Sequence, residues 1–78
     1  MWYVYVLHCA DGHLYTGFTT NVEDRLKRHM AGYVPSTKLR LPVSLVAYFA
    51  FIQEHRALSF EKYLKSGSGR AFLSRHFL

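Results

Sequence analysis

The first eighteen residues constrain the fold most. Trp2 to Cys9 is an almost unbroken run of aromatic, β-branched and apolar side chains and reads as a buried strand. Ala10-Asp11-Gly12 follows at once, and Asp-Gly is the dipeptide that tight hairpin turns favour. A second short strand is expected from about His13 to Phe18, paired antiparallel with the first. The chain thus begins with a hairpin, and the residues that follow must cover it.

A capping box opens the first helix. Thr20-Asn21-Val22-Glu23 puts a hydroxyl at the helix start and a carboxylate three residues on. Glu23 and Asp24 suit the positive end of the helix dipole. Val22, Leu26 and Met30 recur every four residues and form the expected core stripe. Lys27, Arg28 and His29 lie near the carboxyl end, where Gly32 can terminate the helix. Tyr33 to Pro42 reads as a loop, and a third strand is expected over about Val43 to Phe51. Its side chains are apolar on both faces, so it should be well covered. Glu54 to Lys65 reads as a helix with Ala57, Phe60 and Leu64 inward. Ser66-Gly67-Ser68-Gly69 is the clearest break, with Gly67 ending one helix and Ser68 capping the next, Arg70 to Leu78. Phe72, Leu73 and Phe77 would dock that last helix. The order β-β-α-β-α-α describes an α+β layer architecture, a small sheet with helices packed against it.

Seventy-eight residues can fill one core and not two, since size scaling leaves roughly 63% of the extended surface buried at this mass. Six Tyr, six Phe and one Trp give that core a large apolar contribution from few side chains. One cysteine, Cys9, excludes an internal disulfide and any multi-cysteine zinc site, and fits a cytoplasmic protein. No basic segment precedes the apolar start, so no secretory signal is read. The longest apolar run, Leu45 to Ile52, is too short for a membrane span. The net charge is +5, and nine of the ten Lys and Arg fall in two stretches, Arg25 to Arg40 and Lys62 to Arg75. That excess points to a polyanion, nucleic acid before membrane.

Three constellations could carry chemistry. Tyr5 and Tyr15 stand one on each hairpin strand, close enough to meet across the pair, and a phenol can donate, accept or act as a base. Gly17 gives up packing inside a strand, which marks the close approach of a ligand or another backbone. Both tyrosines could equally be ordinary strand aromatics. Arg25 and His29 are four apart and share a helix face, where a guanidinium can hold a phosphate in bidentate fashion. A solvated basic helix end explains them as well. Glu61 is a lone carboxylate among bases, able to hold magnesium with water and phosphate; an exposed pair with Lys65 is the plainer reading. Cys9 reads as a buried structural thiol, and His8, His13, His55 and His76 as structural or surface residues.

In order and spacing these residues resemble the GIY-YIG nuclease superfamily. Tyr3-Val4-Tyr5 matches the first half-motif and Tyr15-Thr16-Gly17 the second. The likeness to small standalone members covers nearly the whole chain. It takes in Trp2 to Leu7, the Asp11-Gly12 turn, Leu14 to Gly17, Arg25 to His29, Arg40-Leu41-Pro42, Ala57-Leu58 before Glu61, and Lys65 to Arg70. The resemblance implies one nuclease domain over residues 1–78, built on a three-stranded antiparallel sheet flanked by helices. It implies metal-dependent cleavage of DNA, with Tyr5, Tyr15, Arg25, His29 and Glu61 catalytic and one Mg2+ or Mn2+ ion on Glu61. One tyrosine would take the proton of the attacking water and the other orient water or phosphate, in either assignment. Arg25 would stabilise charge on the phosphoryl group, with His29 assisting. Gly17, Lys27, Arg28, Lys38, Arg40, Lys65 and Arg70 are the expected substrate contacts.

Two positions depart from the motif, Tyr3 for glycine and Thr16 in the second half-motif. No Asn follows Asn21, so the substrate-anchoring Asn contact of many relatives is expected to be either missing or replaced by Ser68 or Ser74. The expected partner is DNA, or RNA, held by a basic surface with little sequence preference and some preference for flaps, branches or single strands. No membrane partner is expected, and a protein partner would supply targeting. A binding module without turnover, or a subunit that uses exposed aromatics as an interface, are the competing expectations.

Overall fold

The computed structural model describes all 78 residues. Strand β1 (Trp2–Cys9) lies at the centre of the sheet, between β2 (Leu14–Thr19) and β3 (Val43–Phe51), and both pairings are antiparallel. Helices α1 (Val22–Met30), α2 (Glu54–Leu64) and α3 (Gly67–Phe77) complete the expected order.

The central position follows from the composition of β1. A strand with apolar residues at successive positions needs cover on both faces. Val4 and Val6 point to one face, where they pack with Ala57 and Leu64 of α2 and Leu73 of α3. Tyr5, Leu7 and Cys9 point to the other, against Val22 and Leu26 of α1 and Leu41 of the following loop. The sheet is therefore sandwiched, with α1 on one side and the α2–α3 pair on the other.

The hairpin turn uses the Asp-Gly chemistry directly. Gly12 sits at φ 85°, in the left-handed region, and the Asp11 carboxylate accepts from the His13 amide at 3.0 Å. The resulting register sets Gly17 opposite Tyr5 and Tyr15 opposite Leu7. All four side-chain positions share one face, the face that α1 covers.

Four expectations are corrected. The N-cap of α1 is Asn21, whose side chain accepts from the Asp24 amide at 2.9 Å; Thr20 lies outside the helix. Met30 is 60% exposed, and the buried residue at that end is His29. Strand β3 is an edge strand, so its apolar run is only partly covered: Leu45 and Tyr48 are exposed. A bulge near Val6 and Leu7 leaves Val46 without a partner. Finally, α3 begins at Gly67 with Ser66 as its cap. Gly67 and Ser68 lie in the first turn, and buried Gly69 is where the backbones of α2 and α3 meet.

Candidate active site

The site grows from one strand position. Tyr5 is directly opposite Gly17, and a methyl group on Gly17 would collide with the phenol oxygen and Cζ of Tyr5. The glycine thus makes room for a side chain of the protein itself, where the sequence had suggested a ligand or another backbone. The Tyr5 ring lies over β2, and its hydroxyl is carried toward that edge of the sheet.

There it meets α1. Nε2 of His29 lies 2.8 Å from the Tyr5 hydroxyl, and Nδ1 lies 2.7 Å from Oγ1 of Thr37. Both His29 and Thr37 are fully buried. The Tyr15 ring closes the cluster, with its centroid 5.2 Å from that of His29 and 6.4 Å from that of Tyr5. Arg25, half-buried, stands one helical turn before His29.

The electrostatics follow from burial and from these neighbours. Burial pushes the Tyr5 phenol well above its ordinary value; Tyr15 adds to the rise, Arg25 opposes it and Glu61 adds to it. Burial, helped by the Arg25 cation, lowers the affinity of His29 for a proton. The resting cluster is thus a neutral phenol bonded to a neutral imidazole. Glu61 and Arg25 come from helices on opposite faces of the sheet, and both act on the same phenol.

Glu61, on α2, is the carboxylate whose charge is felt at Tyr5. Its side chain is 19% exposed, and Oε2 accepts from Lys65 Nζ at 3.1 Å. The pair with Lys65 read from the sequence therefore exists. No three His, Cys, Asp or Glu side chains gather in a metal-binding cluster. The donor set suits a hard cation that keeps water and phosphate oxygens as its other ligands, which is how magnesium is commonly held. Glu61 fits that role.

Beside the cluster runs a groove of about 750 Å³, bordered by Tyr15, Arg40, Lys65, Arg70 and Ser74 over a floor that includes Leu64 and Leu73. Three of the basic residues expected to contact substrate are thus brought together next to Tyr15. Lys27, Arg28 and Lys38 lie elsewhere on the surface, Lys27 within 3.7 Å of Glu23. Of the two serines considered in place of the missing Asn, Ser74 borders the groove and Ser68 does not. Arg40 has a second task. Its Nε donates to Asp11 at 2.7 Å, pinning the loop before β3 to the hairpin turn. That bond holds the Asp11 carboxyl below its usual range. Cys9 is buried and lies outside the cluster, and His8, His13, His55 and His76 are exposed.

The sequence reading missed Thr37. A threonine in an irregular basic loop has no periodicity to mark it. Only the return of the loop over α1 makes it a partner of His29.

The fold and this cluster define a GIY-YIG domain. The family model for the GIY-YIG catalytic domain matches residues 1–73, and the chain belongs to that family, a superfamily of nucleases. Among its relatives is a UPF0213 protein of Streptococcus pyogenes serotype M5, 43% identical over 79 residues, covering 95% of this chain and 86% of the relative. A UPF0213 protein of Streptococcus sanguinis is 44% identical over 73 residues, covering 92% and 84%. The solution NMR structure of a UPF0213 protein from Bacillus halodurans superposes with a TM-score of 0.60 at 39% identity, covering 96% of this chain and 84% of that one.

Proposed function

We propose that this protein is a divalent-metal-dependent endonuclease that hydrolyses DNA phosphodiester bonds, selects its substrate by structure rather than sequence, and serves DNA repair or processing. One observation carries the reading: the buried Tyr5 phenol is bonded by His29 at 2.8 Å, Tyr15 packs beside both rings, and the charges of Arg25 and Glu61 are both felt at that phenol. A purely structural tyrosine has no need of a cation, a carboxylate and an imidazole together.

In-line attack of water on phosphorus needs a proton acceptor at the water and positive charge at the phosphoryl oxygens. Tyr5 and Tyr15 offer phenols on the side where water would stand. Arg25 can take the phosphoryl oxygens in its guanidinium fork. Its charge also acts on Tyr5. His29, neutral and bonded to Tyr5, is able to accept a proton. Glu61 would hold the single ion, and bound Mg2+ or Mn2+ supplies charge neutralisation at the leaving oxygen. Arg40, Lys65 and Arg70 offer the adjoining phosphates a basic path. Phosphate contacts position a strand without reading its bases, which supports weak sequence preference.

The test is cleavage of supercoiled plasmid, a labelled branched DNA and a matched RNA at low salt, with magnesium, manganese or chelator. Cutting is expected with either metal, and loss of it on chelation. Arg25→Ala should lower the rate about 10²–10³-fold, the size of a lost charge-stabilising donor, and Glu61→Gln should abolish metal-dependent cutting with the fold retained. A folded wild type that binds DNA yet cuts none of these substrates would identify a binding module instead.

A further inference from the structure

We infer that Thr37 is a positioning residue: its hydroxyl holds His29 in the tautomer that accepts the Tyr5 proton, so that His29, through Tyr5, is the terminal acceptor for the proton of the attacking water. The inference rests on the nuclease reading for its chemistry, and on the geometry of three buried side chains for its structure.

Tyr5, His29 and Thr37 form one chain of hydrogen bonds, at 2.8 and 2.7 Å, with no member more than 2% exposed. A neutral imidazole has one donor and one acceptor nitrogen, so two arrangements are possible. In one, Tyr5 donates to Nε2 and Nδ1–H donates to Thr37. In the other, Thr37 donates to Nδ1 and Nε2–H donates to Tyr5. Each leaves one hydroxyl proton without a partner in the chain. A phenol is a stronger acid and a stronger donor than an aliphatic hydroxyl, and the Arg25 cation offsets part of the rise that burial imposes on it. Leaving its proton unused costs more than leaving that of Thr37 unused. The first arrangement is therefore favoured, with Nε2 open to Tyr5 and Nδ1–H held by Thr37.

The loop is built to keep Thr37 in place. Its neighbours Ser36 and Lys38 are exposed, and Thr37 alone turns inward. Its amide donates to the Val34 carbonyl at 3.1 Å, and its carbonyl accepts from the Arg40 amide at 2.8 Å. The Arg40 carbonyl accepts from the Ala10 amide at 3.0 Å, and the Arg40 side chain bonds Asp11. A threonine whose backbone is bonded within its own loop on one side and, through Arg40, to the hairpin on the other can hold an imidazole in one orientation.

The relay balances. As the water oxygen bonds phosphorus, one of its O–H bonds breaks and that proton passes to the Tyr5 oxygen. The Tyr5 proton passes to His29 Nε2, and the bond from phosphorus to the leaving oxygen breaks. The leaving oxygen takes a proton from solvent, and His29 later returns its own to solvent through Tyr5. No phenolate has to persist in a buried site. Thr37 accepts from Nδ1–H before and after the transfer, so the imidazolium is stabilised when it forms. Tyr5, Tyr15 and Arg25 are the titratable or charged groups that face the ring.

Long-range ¹H–¹⁵N spectra of histidine-labelled wild type, at a pH where His29 is neutral, read the tautomer without reference to activity. The expected form has the proton on Nδ1. A proton on Nε2 overturns the inference whether or not the protein cuts DNA. Thr37→Val keeps the side-chain shape and removes the hydroxyl. It should cut about 10- to 100-fold more slowly at unchanged DNA affinity, the loss typical when the outer partner of a functional histidine is removed. Its acid limb should move to lower pH, because the charged imidazole loses an acceptor. Thr37→Ser should restore the rate. Wild-type rate and pH profile in Thr37→Val would overturn the inference, as would failure of Thr37→Ser to recover activity in a folded protein. A wild type inactive on every nucleic acid removes the relay together with the nuclease reading, and the tautomer then stands as structure alone.

Discussion

A methyl group at position 17 has nowhere to go except into the phenol of Tyr5. Gly17→Ala should therefore push the Tyr5 hydroxyl away from His29, costing about 1–3 kcal/mol of stability as an overpacked site does and most of the cleavage activity. Urea unfolding and plasmid cleavage on the same preparation check both. His29 makes a second prediction, through pH. Its folded pKa is lowered from the ordinary 6.5, so between the two values the unfolded chain binds the proton and the folded chain does not. Stability should fall as pH drops through 6.5 toward the depressed value, and level off below it. The urea midpoint of wild type should show that slope, and His29→Gln should lose it. The two residues were unequally legible in the sequence. Gly17 announced itself as a glycine within a strand, and its residue type alone said that something comes close. His29 was hidden by a rule that sends apolar residues inward and so selected Met30. At 3.6 residues per turn, position 29 stands about 20° from Val22 around the helix and position 30 about 80°. Geometry favoured the histidine, and only its polarity argued against it.

At the scale of elements the sequence was more informative about what forms than about where it starts. The three strands were legible because β-branched and aromatic runs are bounded by Asp11-Gly12 and Pro42, and observed β1 and β3 match the expected spans. Helix α2 starts at Glu54 as expected, whereas the N-cap of α1 lies one residue on, at Asn21, and that of α3 two residues back, at Ser66. Thr20 and Asn21 are both strong N-caps, and the bond that forms is from the Asp24 amide to Asn21. Asn21→Ala should accordingly cost about 1 kcal/mol, while Thr20→Ala changes the urea midpoint little. The Ser-Gly-Ser-Gly stretch misled for another reason. Its glycines resembled punctuation, but a Cβ on Gly69 would meet the Tyr63 carbonyl and the Leu64 Cα. This glycine lets α3 pack on the end of α2, a tertiary demand that no local pattern reveals. The exposure of β3 was equally illegible, because an apolar strand does not declare whether it will lie at the centre of a sheet or at its edge.

Across the whole molecule, charge is distributed so that a net +5 need not be spread evenly over the surface. Arg40, Lys65 and Arg70 border the groove beside Tyr15, and they come from the loop before β3, the end of α2 and the first turn of α3. No segment of the sequence contains that groove; it exists only when the loop is latched to the hairpin and α3 is packed on α2. If each of the three meets one phosphate, the logarithm of DNA affinity should fall against the logarithm of salt with a slope of about −2.7 for duplex or about −2.1 for a single strand. Arg70→Ala should make that slope shallower by about one phosphate's share. Arg56 offers the contrast, since it bonds Gln53 at the far end of α2, roughly 13 Å along the helix axis from Lys65. Arg56→Gln should leave the slope unchanged. Fluorescence anisotropy with a short labelled strand, titrated between low and moderate salt, measures all three proteins. Equal slopes for wild type and Arg70→Ala would mean that nucleic acid lies on another face. A shallower slope in Arg70→Ala alone would place the phosphate path in the groove that ends at Tyr15.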